Sequence, residues 1–223
     1  MDLKENLNRI RKEVPGHVDI VAVSKTKPAS MVMELFRAGQ LDFGENKVQE
    51  LLAKKEELPE DIRWHMIGHL QSNKVKYIAP FVYMIHAVDS LKLLQIIEKE
   101  GAKNSRTIPC LLQVHIAAEE TKFGFSEEEL FSTLSAFGMD NMVHVDIRGL
   151  MGMATFTDDS DKVRAEFRNL KRIFEETKKR YFQERDSFKI LSMGMSNDYL
   201  LAIEEGSTMI RIGSLIFGIR NYV

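Results

Sequence analysis

Short apolar, β-rich runs alternate along the chain with stretches in which apolar positions recur every three or four residues. The first pattern marks buried strands and the second amphipathic helices. On this basis strands are predicted at Asp19 to Val23, Leu41 to Phe43, Arg63 to Ile67, Tyr83 to Val88, Cys110 to His115, Val145 to Leu150, Lys189 to Met193 and Met209 to Ile212. Helices are predicted at Leu3 to Val14, Ala29 to Ala38, Lys47 to Glu57, Gln71 to Ala79, Ser90 to Glu100, Ser126 to Phe137, Asp161 to Phe182 and Asn197 to Glu205. Eight strands, each followed by a helix at an average spacing of about 28 residues, predict an α/β fold: a single (β/α)8 TIM barrel over residues 1–223, near the lower end of that fold's size. A doubly wound open sheet shares the alternation but closes with fewer strands. No Gly/Ser linker, low-complexity tract or break in composition marks a second domain.

Composition works by exclusion. With 31 basic against 33 acidic residues there is no broad cationic surface to attract nucleic acid or anionic lipid, so a small partner is expected. One cysteine, Cys110, excludes an internal disulfide framework and a cysteine-rich zinc site, and suits a reducing compartment. The opening MDLKENLNRIRKEV is charged throughout, without the apolar core of a secretory signal, and no later apolar run approaches bilayer length. A cytoplasmic protein without membrane contact is expected. In the charged stretch KRIFEETKKRYFQER, Glu175 with Lys179 and Glu176 with Arg180 fall four residues apart. Such pairs are worth about 0.2–0.5 kcal/mol each and describe a solvated helix face. There is no phosphate-binding G-x-x-x-x-G-K-[ST] and no H-E-x-x-H; GMSND is not a nucleophile elbow, because Asp198 stands where glycine should, and the histidines show no metal-ligand spacing.

In such a barrel, function collects at the C-terminal ends of the strands. That rim carries Lys25 after strand one, Glu45 and Asn46 after strand two, His65 and Gly68 at strand three, Asp89 after strand four and His115 at the end of strand five. The last three strands lead into RGLMGM, LSMGMSND and RIGSLIFG. Ser90, Asp89, Asn46 and Ser126 each precede a helix, where such residues also serve as N-caps. Lysine is a poor cap and is rarely buried without a partner. Strand side chains alternate, so Val21, Val23 and Lys25 share a face, and if that face is the interior the Lys25 amine points into the mouth. Burial enlarges the neutral fraction of an amine, the form that attacks an aldehyde, which makes Lys25 a candidate Schiff-base nucleophile. The alternative is an ion-pair partner for Glu45 or Asp89. Lys27, beside Pro28, is assigned an accessory place at the rim.

The far end of the chain supplies a counterpart. GSTMIRIGSLIFG puts Arg211 at the end of strand eight with Gly213 and Ser214 opening the next turn, where barrels commonly hold a phosphate. Gly213 allows close approach to the backbone, and the Ser214 hydroxyl and nearby N–H groups can bind an anion, with Ser196 placed to join them. An aldehyde acceptor and a phosphate clamp on one mouth call for a ligand bearing both groups. Pyridoxal 5′-phosphate does.

Together AVSKTKP, FGEN, WHMIGHLQSNK, RGLMGM, LSMGMSND and GSTMIRIGSLIFG resemble the pyridoxal phosphate homeostasis proteins, whose fold is like the N-terminal barrel of alanine racemase. The resemblance runs from near Val21 to Val223. It implies that Lys25 is the Schiff-base lysine, that Ser196, Gly213 and Ser214 hold the phosphate, that Arg211 faces the pyridine nitrogen, and that Asn46 is a further pocket residue. His65 and the methionines of MGM are expected to line the cofactor, and Lys27 and Lys122 to affect its traffic. Alanine racemase brings a second base, a tyrosine, from an additional β domain of the partner subunit; this chain is expected to lack that domain and to be a monomer. The resemblance therefore implies a non-catalytic carrier or regulator of the cofactor, with pyridoxal phosphate-dependent apoenzymes as possible recipients. A racemase of limited activity, and a cofactor-free lyase that condenses Lys25 with a sugar phosphate, are the alternatives.

Overall fold

The computed structural model describes residues 2–119, 123–137 and 142–218. Eight parallel strands close into a barrel in chain order: β1 Asp19–Val23, β2 Asp42–Glu45, β3 Arg63–Met66, β4 Met84–Val88, β5 Ile108–Gln113, β6 Val145–Met151, β7 Ile190–Ser192 and β8 Met209–Ile212, with β8 pairing back onto β1. The expected (β/α)8 barrel is what forms. Around it lie α1 Leu3–Glu13, α2 Ala29–Arg37, α3 Val48–Glu57, α4 Val75–Ile78, α5 Leu91–Lys103, α6 Glu127–Phe137, α7 Ser160–Tyr181, α8 Tyr199–Glu204 and α9 Ser214–Phe217.

Local chemistry explains the boundaries. Ser90 Oγ accepts the Leu93 N–H at 3.3 Å and so caps α5. Ser126 and Glu129 form a reciprocal capping box on α6, at 3.1 Å and 2.8 Å. Asn46 caps nothing, since α3 begins after Lys47 without a side-chain cap. The helix expected over Gln71 to Ala79 is a 3-10 turn at Ser72–Lys74 followed by the single turn of α4, and Pro80, which has no N–H, stops it there. Strand β5 begins two residues earlier than expected and runs through Pro109. Helix α7 buries Val163, Phe167, Leu170, Ile173 and Phe174 along one face. On its outer face Arg180 pairs with Glu176 as expected, whereas Glu175 pairs with Lys171, at 2.6 Å, rather than with Lys179.

The core lies mainly between the barrel and its helices, with Phe43, Phe167, Phe182 and Phe188 fully enclosed. Where β6 meets β7, Gly149 sits at φ 153°, and a Cβ there would lie 1.7 Å from the Ile190 carbonyl oxygen. That oxygen belongs to a paired strand and cannot retreat. Gly149→Ala is therefore expected to cost about 2–3 kcal/mol or more, as overpacking plus backbone strain, read as a lowered midpoint in urea unfolding.

Candidate functional site

Lys25, Asn46, Ser196, Arg211, Gly213 and Ser214 all line one cavity of about 1090 Å³ at the C-terminal ends of the strands. Lys25 lies two residues beyond the end of β1, half-buried, in a turn closed by the Lys27 N–H to the Ser24 carbonyl at 3.0 Å. Lys27 lines the same cavity. Between the two lysines, Thr26 takes φ 63°, a left-handed conformation that a β-branched residue rarely adopts. It is held there by the Glu50 carboxylate of α3, which accepts the Thr26 N–H at 2.6 Å.

Beneath this turn is a buried ionic cluster. The Lys54 ammonium reaches the Ser24 carbonyl at 2.7 Å, Glu45 at 2.7 Å and Glu50 at 2.8 Å. Ser24 Oγ donates to the same Glu45 oxygen at 2.6 Å, while the second oxygen, Oε2, has no hydrogen-bond partner among the described residues. Burial raises the Glu45 carboxyl above its usual range, against the opposing pull of Lys54. The rim acids Glu45 and Asp89 pair with Lys54 at 2.7 Å and with His69 at 3.0 Å.

On β8, the strand adjoining β1, Arg211 is 4% exposed. Its guanidinium donates to Ser192 Oγ at 2.6 Å and to the Gly152 carbonyl at 3.0 Å. Burial lowers its pKa to about 10, so it stays a cation near neutral pH. The Gly213 N–H donates to Ser196 Oγ at 3.3 Å, which joins the turn after β7 to the turn after β8. The first of these turns needs Gly194, at φ 96°, with a would-be Cβ 2.6 Å from Ala202 Cβ.

Two expectations require correction. His65 is fully buried and is not among the described residues lining the cavity; it lies deeper, between Asp42 and His86. It misses the rim because its ring turns back toward Asp42, at the start of β2, and His86. Of the two methionines of the β6 motif, Met153 lines the cavity and Met151 is enclosed in the core. Lys122 lies outside the described residues. Sequence reasoning also passed over Lys54, Ser192, His86 and His69. The mouth has a wall made by His69 stacked on Phe123, with ring centroids 4.0 Å apart. His86 had a visible signal, an imidazole inside the apolar run MIHAV.

The arrangement presents an amine on one wall and, on the other, a guanidinium, two hydroxyls and a glycine turn. The chain matches the family model for the alanine racemase N-terminal domain over residues 1–221, which defines its class. It is 39% identical over 204 residues to the pyridoxal phosphate homeostasis protein of Aquifex aeolicus, a match that spans 91% of this chain and 87% of that one. To the Haemophilus influenzae protein of the same name it is 35% identical over 235 residues, covering 100% and 98%. The chain belongs to the pyridoxal phosphate homeostasis protein family. The structure of PipY from Synechococcus elongatus with pyridoxal phosphate bound matches with a TM-score of 0.89 at 34% identity, covering 97% of this chain and 100% of that one. Alanine racemase of Clostridium difficile shares the fold, with a TM-score of 0.75 at 13% identity over 60% of its length.

Two outcomes test this geometry. Lys54→Met strands the Glu45 carboxylate in the interior and is expected to cost about 3–5 kcal/mol in denaturant unfolding, most of it recovered when Glu45→Gln is added. The second concerns His86, whose imidazole is held well below the usual histidine value of 6.5, first by burial and then by the charges of His65 and Arg211. An unfolded chain takes up a proton there where the fold does not, so stability falls as pH drops below about 6.5, by up to about 1.4 kcal/mol per pH unit. Urea melts across this range are expected to show that slope in the wild type and to lose it in His86→Gln.

Proposed function

We propose that the chain holds pyridoxal 5′-phosphate reversibly through Lys25 and takes part in its homeostasis as a carrier, without catalytic turnover. The observation that carries the reading is that Lys25 shares one cavity with Arg211, Ser196, Gly213 and Ser214. The donor set fits the ligand. When bound, pyridoxal phosphate supplies an aldehyde that condenses with an amine and loses water, beside a phosphate dianion that needs hydrogen-bond donors.

In this reading the strained turn at Thr26, braced by Glu50 and Lys54, fixes where the Lys25 amine stands. Ser196, Gly213 and Ser214 hold the phosphate, and Asn46 lines the rest of the pocket. Arg211 is assigned to the ring nitrogen. A cation there disfavours protonation of that nitrogen and so weakens the ring as a sink for electrons, which favours retention over racemisation. The presence of pyridoxal phosphate in PipY supports the ligand assignment. Pyridoxal phosphate-dependent apoenzymes are the proposed recipients, and the chain is proposed to act as a monomer.

Borohydride reduction of protein loaded with pyridoxal phosphate, followed by peptide mapping, is expected to place the pyridoxyl adduct on Lys25, and Lys25→Ala to abolish both the adduct and the visible band. An adduct confined to Lys27 or to surface lysines would overturn the assignment. Ser196→Ala and Ser214→Ala each remove a hydrogen bond to an anion, worth about 1.5–3 kcal/mol. Each is expected to weaken binding by about 10- to 100-fold in absorbance titrations.

A further inference from the structure

Below the cavity the barrel interior holds a string of polar side chains where such barrels ordinarily stack branched apolar ones. Arg211 Nη1 donates to Ser192 Oγ at 2.6 Å, and Ser192 Oγ lies 3.5 Å from His86 Nδ1. His86 Nε2 is 2.8 Å from His65 Nδ1, and His65 Nε2 is 3.0 Å from Asp42 Oδ1. Strands β4 and β7 are not neighbours in the closed barrel, so the step from His86 to Ser192 crosses its lumen. Arg211, Ser192, His86 and His65 are all buried.

The chemistry at the two ends fixes the protons between them. A guanidinium only donates, so Ser192 Oγ receives a hydrogen from Arg211, and its own O–H is left to point at His86 Nδ1. A carboxylate only accepts, so His65 carries its hydrogen on Nε2. That leaves His65 Nδ1 bare, and a bare Nδ1 at 2.8 Å requires the hydrogen on His86 Nε2. The carboxylate end thus orders a neutral Nε2–H tautomer at both rings, and the Ser192 hydroxyl is able to match it. A second proton on His65 would face the His86 Nε2–H and force His86 into its other tautomer.

We propose that Ser192, His86 and His65 are positioning residues for Arg211: they form a one-way hydrogen-bond string that aims its guanidinium from below and ties it to the Asp42 carboxylate. The remaining N–H donors of Arg211 are those available to a ligand, and the string sets their direction. Its consequence for affinity rests on the pyridoxal phosphate reading; its existence does not.

Long-range proton–nitrogen correlation spectra of the apo protein, with signals assigned through His65→Gln and His86→Gln, are expected to show both buried rings as neutral Nε2–H tautomers near neutral pH. An Nδ1–H tautomer or an imidazolium at either ring overturns the string. The affinity for pyridoxal phosphate then tests the role. His86→Gln keeps an acceptor oxygen and a donor amide and is expected to stay within about threefold of wild type, whereas His86→Leu is expected to bind about tenfold more weakly while still forming the Lys25 adduct. Equal affinities for all three overturn the positioning role. Should His86→Leu fail to fold, Ser192→Ala breaks the string at a smaller change in volume and carries the same expectation. If the wild type itself forms no adduct on Lys25, the cofactor reading fails and the tautomers still decide the string.

Discussion

A guanidinium buried in the middle of a barrel is the constraint to which much of this molecule answers. An unpaired charge taken out of water costs many kcal/mol, and a fold keeps one only by surrounding it with oriented acceptors. At Arg211 these are the Ser192 hydroxyl and the Gly152 carbonyl, which follows the end of β6 at Met151. Once Ser192 is committed, its own hydrogen needs a taker, and the requirement passes inward through two histidines to a carboxylate. Polar residues therefore occupy places in the lumen that would otherwise be apolar, and each is tolerated because the next one satisfies it.

A second buried cation organises the other wall. Lys54 draws together the Ser24 carbonyl, Glu45 and Glu50 from a strand end and a helix. Glu50 in turn grips the backbone beside Lys25. On this wall the charges that shape the site, Lys54, Glu45 and Glu50, stand one layer behind the cavity. Barrel closure makes the two walls close: β8 pairs with β1, and Val21 lies in register with Arg211, so residues from the two ends of the sequence stand on adjoining strands.

The barrel was legible because its signals are local. Apolar runs and helical spacing mark the strands and helices wherever the chain later goes, and the strand boundaries differ from expectation by only one or two residues. The rim was legible through strand parity, which put Lys25 on the face of Val23 and Arg211 just before a glycine turn. What stayed hidden depends on depth or on which face of a helix is covered. Glu50 and Lys54 stand four apart in α3, the spacing of a solvated pair, yet Lys54 is buried under the Lys25 turn. His65 read as a rim residue, but its ring turns back to Asp42 at the start of β2 and to His86, and lies inside the barrel.

On the proposed reading, the same buried order would favour holding a ligand over turning one over. A general acid or base must give up or take a proton near neutral pH. Arg211 keeps its own until about pH 10, and the string behind it has each hydrogen assigned by its ends, with His86 held neutral by burial. With the proposed string in place, this wall of the cavity would offer fixed donors. That is the electrostatics of a grip on an electron-rich ring and a phosphate, and it leaves the Lys25 amine as the group on these two walls best suited to exchange a bond with the ligand.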